Sequence, residues 1–198
     1  MSIPLFQPSV FHLNQGWIQP ARHCPSPNYN QRPADTPISL LVIHNISLPA
    51  GEFGNANIDL LFTNQLDSKA HPSFDSLEGL QVSSHLLIRR DGELVQYVAL
   101  EQRAWHAGLS SFQGRQGCND FSIGIELEGT DDLPYSEAQY PVLIAVTQCL
   151  QTHYPHLQHI CGHEHIAPTR KTDPGPAFDW QRFYAGVTQN SSKNSNGS

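Results

Sequence analysis

The sequence predicts a single α/β (α+β) domain in which helices flank a mixed, mostly central β-sheet. Three observations support this class. Apolar strand-like runs and helical patterns alternate along the chain, two neighbouring strand-like runs form an antiparallel hairpin, and proline and glycine are frequent. The chain has 198 residues, of which 38% are hydrophobic, 15 are proline and 14 are glycine. This length allows one sizeable core, with many loops around it.

We expect three segments along the chain: an N-terminal arm over residues 1–15, a catalytic domain over 16–187 and a disordered tail over 188–198. Residues 1–39 are rich in proline, asparagine and glutamine, which predicts a long arm lying on the surface. The tail contains asparagine, serine and glycine with one lysine, so it cannot bury enough apolar surface to fold.

The first clear strand covers residues 40–44, a continuous apolar run that ends at His44 and is typical of a buried central strand. A short helix is predicted over residues 58–66, followed by an irregular stretch over 71–79. Residues 82–88 and 93–98 then flank Asp91-Gly92, and Asp-Gly between two β-rich runs strongly indicates a hairpin turn.

The second half of the domain begins with a glycine-rich loop predicted over residues 105–120, followed by a strand over 121–127. The most regular helical pattern covers residues 136–154, where Ser136 and Gln139 fit a capping box and apolar residues recur at helical spacing. The predicted domain ends with a short strand over 159–162, a loop over 167–176 and a helix over 179–185.

Composition excludes two classes of partner. Eleven basic and eighteen acidic side chains give a net charge of −7, and no basic run is longer than Arg89-Arg90. We therefore expect binding neither to nucleic acid nor to a membrane surface. The four cysteines form no CxxC pair and the N-terminus has no secretory pattern, which favours reduced thiols and a cytoplasmic location.

Among eleven histidines, three are candidates for binding a metal. His44 ends a buried strand, where a polar side chain needs a partner, and His163 and His165 follow the short strand over 159–162. Asp173 lies ten residues beyond His163, with Lys171 two residues before it. Two ligand sets are compatible with this spacing: His44 and His163 with Asp173, or His44 and His163 with His165.

A carboxylate in the strand over 121–127 is the candidate acid–base group. Glu126 shares one face of this strand with Gly124, whose lack of a side chain leaves room for a substrate or a metal-bound water. Near a zinc ion, Glu126 could remove a proton from water and pass it to a leaving amine. The alternative is a solvent-exposed carboxylate on an edge strand, and the pattern does not separate the two.

Four segments, residues 41–49, 103–108, 118–129 and 171–176, resemble one known family in order and spacing. It is the zinc-dependent N-acetylmuramoyl-L-alanine amidase family, whose fold is shared with phage lysozymes and peptidoglycan recognition proteins. The resemblance covers about residues 16–183. It is strongest to the cytosolic members that cut the amide between the lactyl group of 1,6-anhydro-N-acetylmuramic acid and L-alanine during cell-wall recycling.

The resemblance implies the roles of five residues. One Zn²⁺ per chain would be held by His44, His163 and Asp173, with water in the open fourth position, so that His165 becomes a bystander. Glu126 and Lys171 match the catalytic pair of the family. Glu126 would deprotonate the water and protonate the leaving amine, and Lys171 would stabilise the negative charge of the tetrahedral intermediate.

We also expect a monomer, and the resemblance implies that its partner is an anhydromuramoyl peptide. Asn45 and Trp105 match positions that face the muramoyl group. Other members carry arginines that hold the diaminopimelate end of the stem peptide, whereas this chain has Gln81 and Gly117 at those positions, with Arg115 nearby. We therefore assign Arg115 to substrate binding and expect a weaker hold on the far end of the peptide.

Overall fold

The computed structural model describes residues 11–191, and in that range the chain forms twelve strands and four α-helices. The strands are β1 His12–Asn14, β2 Trp17–Gln19, β3 Arg22–His23, β4 Tyr29–Gln31, β5 Leu40–Ile46, β6 Leu86–Ile88, β7 Leu94–Gln96, β8 Gln102–Ala104, β9 Ser111–Phe112, β10 Arg115–Gln116, β11 Ser122–Glu128 and β12 His159–Gly162. The helices are α1 Asn57–Phe62, α2 Gln139–His153, α3 His163–Ile166 and α4 Trp180–Ser191.

Six strands form the central sheet, in the order β12-β5-β11-β6-β7-β3. The neighbours β12, β5, β11 and β6 run parallel, whereas β7 runs antiparallel to β6 through the predicted hairpin. The mixed sheet with flanking helices confirms the predicted fold class. β5 and β11 are each seven residues long, and they are the two inner strands of this parallel set.

The largest part of the core lies between one face of the sheet and the helices α2 and α4. Ile43 of β5 and Ile125 of β11 pack there against Leu143 of α2 and Phe183 of α4, and all four are fully buried. A second cluster under the opposite face joins α1 to β7. Because both faces of the sheet are covered, β5 is buried on both sides, which explains its continuous apolar run and agrees with the predicted central strand.

The parallel strands position the functional residues. His44 of β5 lies beside Glu126 of β11, and Gly162 of β12 lies beside Ile43. The chain continues from Gly162 directly into α3, which begins with His163. Since parallel strands present their carboxyl ends at the same edge of a sheet, these residues meet although they lie far apart in the sequence.

Three predicted segments differ from the observed structure. Helix α1 ends at Phe62 rather than at residue 66, because Asn64 adopts a left-handed backbone with φ of 60°. The stretch over 71–79 is not irregular throughout, since Pro72–Leu77 form a 3₁₀ helix. The loop over 105–120 contains the small hairpin β9–β10 and the 3₁₀ helix Cys118–Asp120.

The ends of the two long helices also differ from the prediction. Helix α2 begins at Gln139 and not at Ser136, because the Ser136 hydroxyl donates to the carbonyl of Arg90. The Gln139 side chain still accepts the backbone N–H of Ser136 at 2.9 Å, which is half of the predicted capping box. Helix α4 continues to Ser191, four residues into the predicted tail, and residues 192–198 lie outside the described range.

The predicted surface arm is part of the fold from residue 12 onwards. Strand β3 pairs with β7 at the edge of the central sheet, and β4 pairs with β8. Ile18 of β2 is fully buried. Alternation within such short strands is too brief to be recognised in a sequence rich in proline and asparagine.

Arg32 anchors this N-terminal segment to the end of the sheet. Its guanidinium donates hydrogen bonds of 2.8–3.1 Å to four backbone carbonyls, those of Leu100, Asn119, Asp120 and Ser122. Burial lowers the pKa of Arg32 to about 10, so the group still carries its charge near neutral pH. Hydrogen bonds from a charged donor to buried acceptors are among the stronger ones in proteins.

We expect Arg32→Met to lower the free energy of unfolding by about 2 kcal/mol, because buried carbonyls lose a charged donor. Urea denaturation followed by circular dichroism measures this. Arg22→Met is the matched control. Arg22 forms exposed ion pairs with Asp59 and Glu93, which contribute less than about 1 kcal/mol. An equal loss in both variants would contradict the anchoring role of Arg32.

Two further expectations concern the chain as a whole. All four cysteines are free thiols in the structure. Within residues 11–191, no helix has both the length and the apolar character needed to cross a membrane.

Candidate active site

Three of the predicted residues meet at the carboxyl edge of the sheet. The Nδ1 atoms of His44 and His163 are 3.0 Å apart, and each lies 3.1 Å from Oδ2 of Asp173. The two histidines are 1% and 3% exposed. The backbone of Asp173 is fixed because its carbonyl accepts the N–H of Glu164, in helix α3, at 2.9 Å.

The geometry of this cluster fits a tetrahedral metal ion. Two imidazole nitrogens and one carboxylate oxygen are donors that zinc prefers, and they form a nearly equilateral triangle. Ligands about 2.0–2.1 Å from a tetrahedral zinc ion lie about 3.3 Å from one another. The observed separations are within a few tenths of an ångström of this value, so His44, His163 and Asp173 fit the ion.

Burial keeps His44 in the protonation state that binds metals. Burial lowers the pKa of His44 to about 4, so its imidazole is neutral. A neutral imidazole and an ionised carboxylate are the ligand forms that metal binding requires.

The structure does not bring His165 into this cluster. Helix α3 turns the side chain of His165 away from that of His163, and its Nδ1 accepts the backbone N–H of Gly162 at 2.9 Å. The ring lies 5.9 Å from that of Trp180, on the outside of the domain. The second ligand set allowed by spacing, with His165 in place of Asp173, therefore has no support in the geometry.

Glu126 lies beside His44 in the central sheet and is 8% exposed. Strand β11 has neighbours on both sides, which excludes the alternative of an exposed carboxylate on an edge strand. Within the described residues, Oε2 of Glu126 is buried without a hydrogen-bond partner. Burial and the nearby charge of Asp173 raise the pKa of Glu126 well above its usual value, while Lys171 lowers it. Glu126 is thus placed to exchange a proton.

Gly124 has a different role from the one expected. A Cβ atom at Gly124 would lie 2.6 Å from Cγ and Nδ1 of His106. The missing side chain therefore makes room for the His106 imidazole and not for a substrate or water, and the prediction for Gly124 was wrong. The contact joins residues 18 positions apart and depends on how the loop after β8 folds back.

Lys171 and Asn45 line an open cleft of about 550 Å³ next to Asp173. The Asn45 amide donates to Oδ1 of Asp131 at 2.8 Å and to the carbonyl of Pro174 at 3.2 Å. Lys171 is close enough to influence the pKa of both Glu126 and His44. The cleft lining thus contains a cation, an amide and the carboxylate of Asp173.

The other proposed substrate-binding residues lie outside this cleft lining. The indole Nε1 of Trp105 donates to Oδ1 of Asn30 at 2.8 Å, and the ring is partly exposed. Arg115 lies on the exposed hairpin β9–β10, with its guanidinium 4.0 Å from the centre of the Phe121 ring. Gln81 is exposed, and Gly117 begins the 3₁₀ helix with φ of 71°.

Sequence reasoning missed two histidines behind the cluster, of which His85 is fully buried and His106 is partly buried. Nδ1 of His106 lies 2.9 Å from Nε2 of His44, and Nδ1 of His85 accepts the backbone N–H of Gly124 at 3.1 Å. Burial lowers the pKa of His85 to about 3 and that of His106 well below its usual value. Neither follows a long apolar run, so no pattern in the sequence signals their burial.

The fold and the site define a class: a single-domain amide hydrolase with two histidines, an aspartate and a glutamate at the carboxyl edge of a mixed sheet. Residues 34–176 match the family described as N-acetylmuramoyl-L-alanine amidase. The chain belongs to this family and is an amidase of that type, as the resemblance implied.

Three comparisons place it within the family. The chain is 61% identical to the 1,6-anhydro-N-acetylmuramyl-L-alanine amidase AmpD of Citrobacter freundii, over 91% of this chain and 97% of that protein. It is also 61% identical to AmpD of Escherichia coli, over 86% and 94% of the two chains. A crystal structure of a selenomethionine AmpD derivative superimposes with a TM-score of 0.87 at 62% identity, covering 89% and 99%.

A more distant relative has been solved with a ligand. The amidase AmiD of Escherichia coli, in complex with its substrate anhydro-N-acetylmuramic acid-L-Ala-D-γ-Glu-L-Lys, is 28% identical with a TM-score of 0.56. This chain aligns over 89% of its own length and 65% of that of AmiD.

Proposed function

We propose that this chain is a cytoplasmic, zinc-dependent amidase, active as a monomer, that cuts the bond between the lactyl group of 1,6-anhydro-N-acetylmuramic acid and L-alanine. The observation that carries the proposal is the triangle of His44, His163 and Asp173 beside the buried carboxylate of Glu126, whose Oε2 has no hydrogen-bond partner within residues 11–191. The names of the relatives that are about 60% identical support the substrate.

The chemistry divides between the ion and the side chains. Zn²⁺ held by His44, His163 and Asp173 would polarise the scissile carbonyl and acidify a water molecule. Glu126 accepts a proton from the attacking water at Oε2, the atom to which no group in the described part of the chain donates. It then delivers this proton to the nitrogen of L-alanine as the C–N bond breaks. The Lys171 ammonium donates to the oxygen that becomes negative in the tetrahedral intermediate.

Substrate positioning follows from the cleft. Asn45 presents its amide beside Asp173, where it can bond the muramoyl group, and the partly exposed Trp105 ring offers an apolar face for the sugar. Arg115, on its exposed hairpin, is the proposed cation for the far carboxylates of the stem peptide. With Gln81 and Gly117 in place of arginines, we propose that the enzyme grips the distal peptide loosely.

The test is product analysis of anhydromuramoyl tripeptide by mass spectrometry, combined with metal analysis of the purified protein. The expected result is about one zinc per chain and two products, anhydro-N-acetylmuramic acid and the free tripeptide. A chelator should abolish turnover, and added zinc should restore it. Full activity in metal-depleted protein, or cleavage at another bond, would contradict the proposal.

A further inference from the structure

The dipeptide His106-Ala107 contacts both metal-binding histidines from behind. Nδ1 of His106 lies 2.9 Å from Nε2 of His44. The carbonyl oxygen of Ala107 lies 3.2 Å from Nε2 of His163. In both ligand histidines Nδ1 faces Asp173, and Nε2, on the other side of the ring, faces this short segment of the loop after β8.

The hydrogen bond between His106 and His44 belongs to a series that ends at the backbone carbonyl of Cys118, and this carbonyl fixes the direction of each bond in the series. The Cys118 carbonyl can only accept, so the Ser122 hydroxyl donates to it, at 2.6 Å. Ser122 Oγ then accepts from His106 Nε2–H at 3.0 Å. A neutral His106 is left with a bare Nδ1, which accepts from His44 Nε2–H. The remaining nitrogen of His44, Nδ1, therefore carries no proton.

The same argument applies to His163 in a single step. Since the Ala107 carbonyl can only accept, Nε2 of His163 carries the proton that it donates, which leaves Nδ1 as the nitrogen available to a metal. Both Nδ1 lone pairs therefore point at the position that the Asp173 carboxylate also faces. Three convergent acceptors without a proton between them repel one another unless a cation lies among them.

The dipeptide is itself held rigidly. Oδ1 of Asn119 accepts the backbone N–H groups of His106 at 3.1 Å and Ala107 at 2.8 Å. Arg170 donates to the Ala107 carbonyl at 2.8 Å. Gly124 leaves the space that the His106 ring fills. Of these groups, Arg170 lines the cleft beside Lys171, and the others do not belong to its lining.

We propose that His106 and the Ala107 carbonyl are positioning groups that fix His44 and His163 as Nε2–H tautomers, so that both Nδ1 atoms are ready to bind the ion. The proposal rests on the zinc site proposed above. It adds that the ligand geometry exists before the metal binds, and that it is imposed by residues that bind neither metal nor substrate. Hydrogen-bond partners of ligand histidines commonly strengthen metal binding in this way.

The first test needs neither metal nor activity. Long-range ¹H–¹⁵N spectra of histidine-labelled, metal-free protein report which ring nitrogen carries the proton. The expected result is Nε2–H for His44, His106 and His163. Nδ1–H or a mixture of tautomers at His44 or His163 would overturn the proposal. Nε2–H at both, in a protein that binds no zinc, would support positioning while contradicting the zinc-dependent function.

The second test measures zinc affinity by competition with a chelator. His106→Leu should weaken binding by about tenfold to a hundredfold. His106→Asn should stay within about threefold of the parent, because its amide oxygen replaces the Nδ1 acceptor. His85→Leu is the matched control, since the His85 ring lies next to that of His106 but bonds to neither ligand. The control should lose stability and keep its zinc affinity.

Two outcomes of this series would overturn the proposal. One is unchanged zinc affinity in His106→Leu, and the other is an equal loss in His85→Leu, which would indicate general loosening. If His106→Leu does not fold, Gly124→Ala replaces it, because the added methyl group displaces the His106 ring without changing any ligand. Gly124→Ala should then weaken zinc binding by about tenfold, and unchanged affinity would count against the role of His106.

Discussion

Glu126→Gln should lower kcat by about a hundredfold to ten-thousandfold, with little change in KM. The amide has the same shape as the carboxylate but cannot accept a proton from water, and Glu126 is the buried carboxylate whose Oε2 has no partner among the described residues. Steady-state kinetics with anhydromuramoyl tripeptide measures the effect. Zinc content and thermal midpoint should remain those of the parent, because the substitution keeps the packing.

Glu128→Gln is the control for this experiment. Glu128 lies two residues further along β11 on the same face, and it is also buried. Its carboxylate, however, accepts from the backbone N–H of Gly54 at 2.7 Å and pairs with Arg89 at 3.4 Å. Glu128→Gln should lower stability and leave kcat near the parent value. Retained turnover in Glu126→Gln would remove Glu126 from the mechanism.

Lys171→Met should lower kcat by about a hundredfold to a thousandfold, the loss found when one stabilising donor is removed from a developing negative charge. Methionine keeps most of the aliphatic stem and loses only the ammonium group, so the lining of the cleft is preserved. Because the interaction forms only as charge develops on the carbonyl oxygen, kcat and kcat/KM should fall together. Stopped assays with separated products measure both constants.

The control for Lys171 is Lys69→Met, which removes an exposed lysine far from the cleft lining and should change neither constant. A rise in KM alone in Lys171→Met would assign Lys171 to ground-state binding of the substrate. Loss of zinc from Lys171→Met would instead make its effect indirect, since Asp173 lies two residues away. Metal analysis of each variant separates these cases.

The elements that position the site were largely predictable. The run over 40–44 and the strand over 121–127 were found because buried parallel strands are apolar and have few turn residues. The hairpin around Asp91-Gly92 was found because turn chemistry is local. Short elements were missed, such as β3, β4 and the hairpin β9–β10, because two or three residues carry no period and form only against a partner strand.

The candidate site was less predictable from the residues alone. Spacing left Asp173 and His165 as rival ligands, and resemblance to the family separated them before the geometry did. Helix α3 supplies the physical reason, since residues two apart on a helix do not share a side. Glu126 was identified by the alternation of its strand, but its burial depends on β6 lying beside β11.

By itself, the sequence determined the class of fold, the buried central strands and the family, and resemblance to that family predicted the five residues of the proposed chemistry. These depend on local pattern and on motifs that stay together along the chain. Only the tertiary structure decided that Gly124 makes room for His106, that His165 points away, and that His106-Ala107 backs both ligand histidines. The first and third are contacts between distant segments, which exist only once the sheet and its loops have packed, and the second follows from helix α3 beginning at the end of β12.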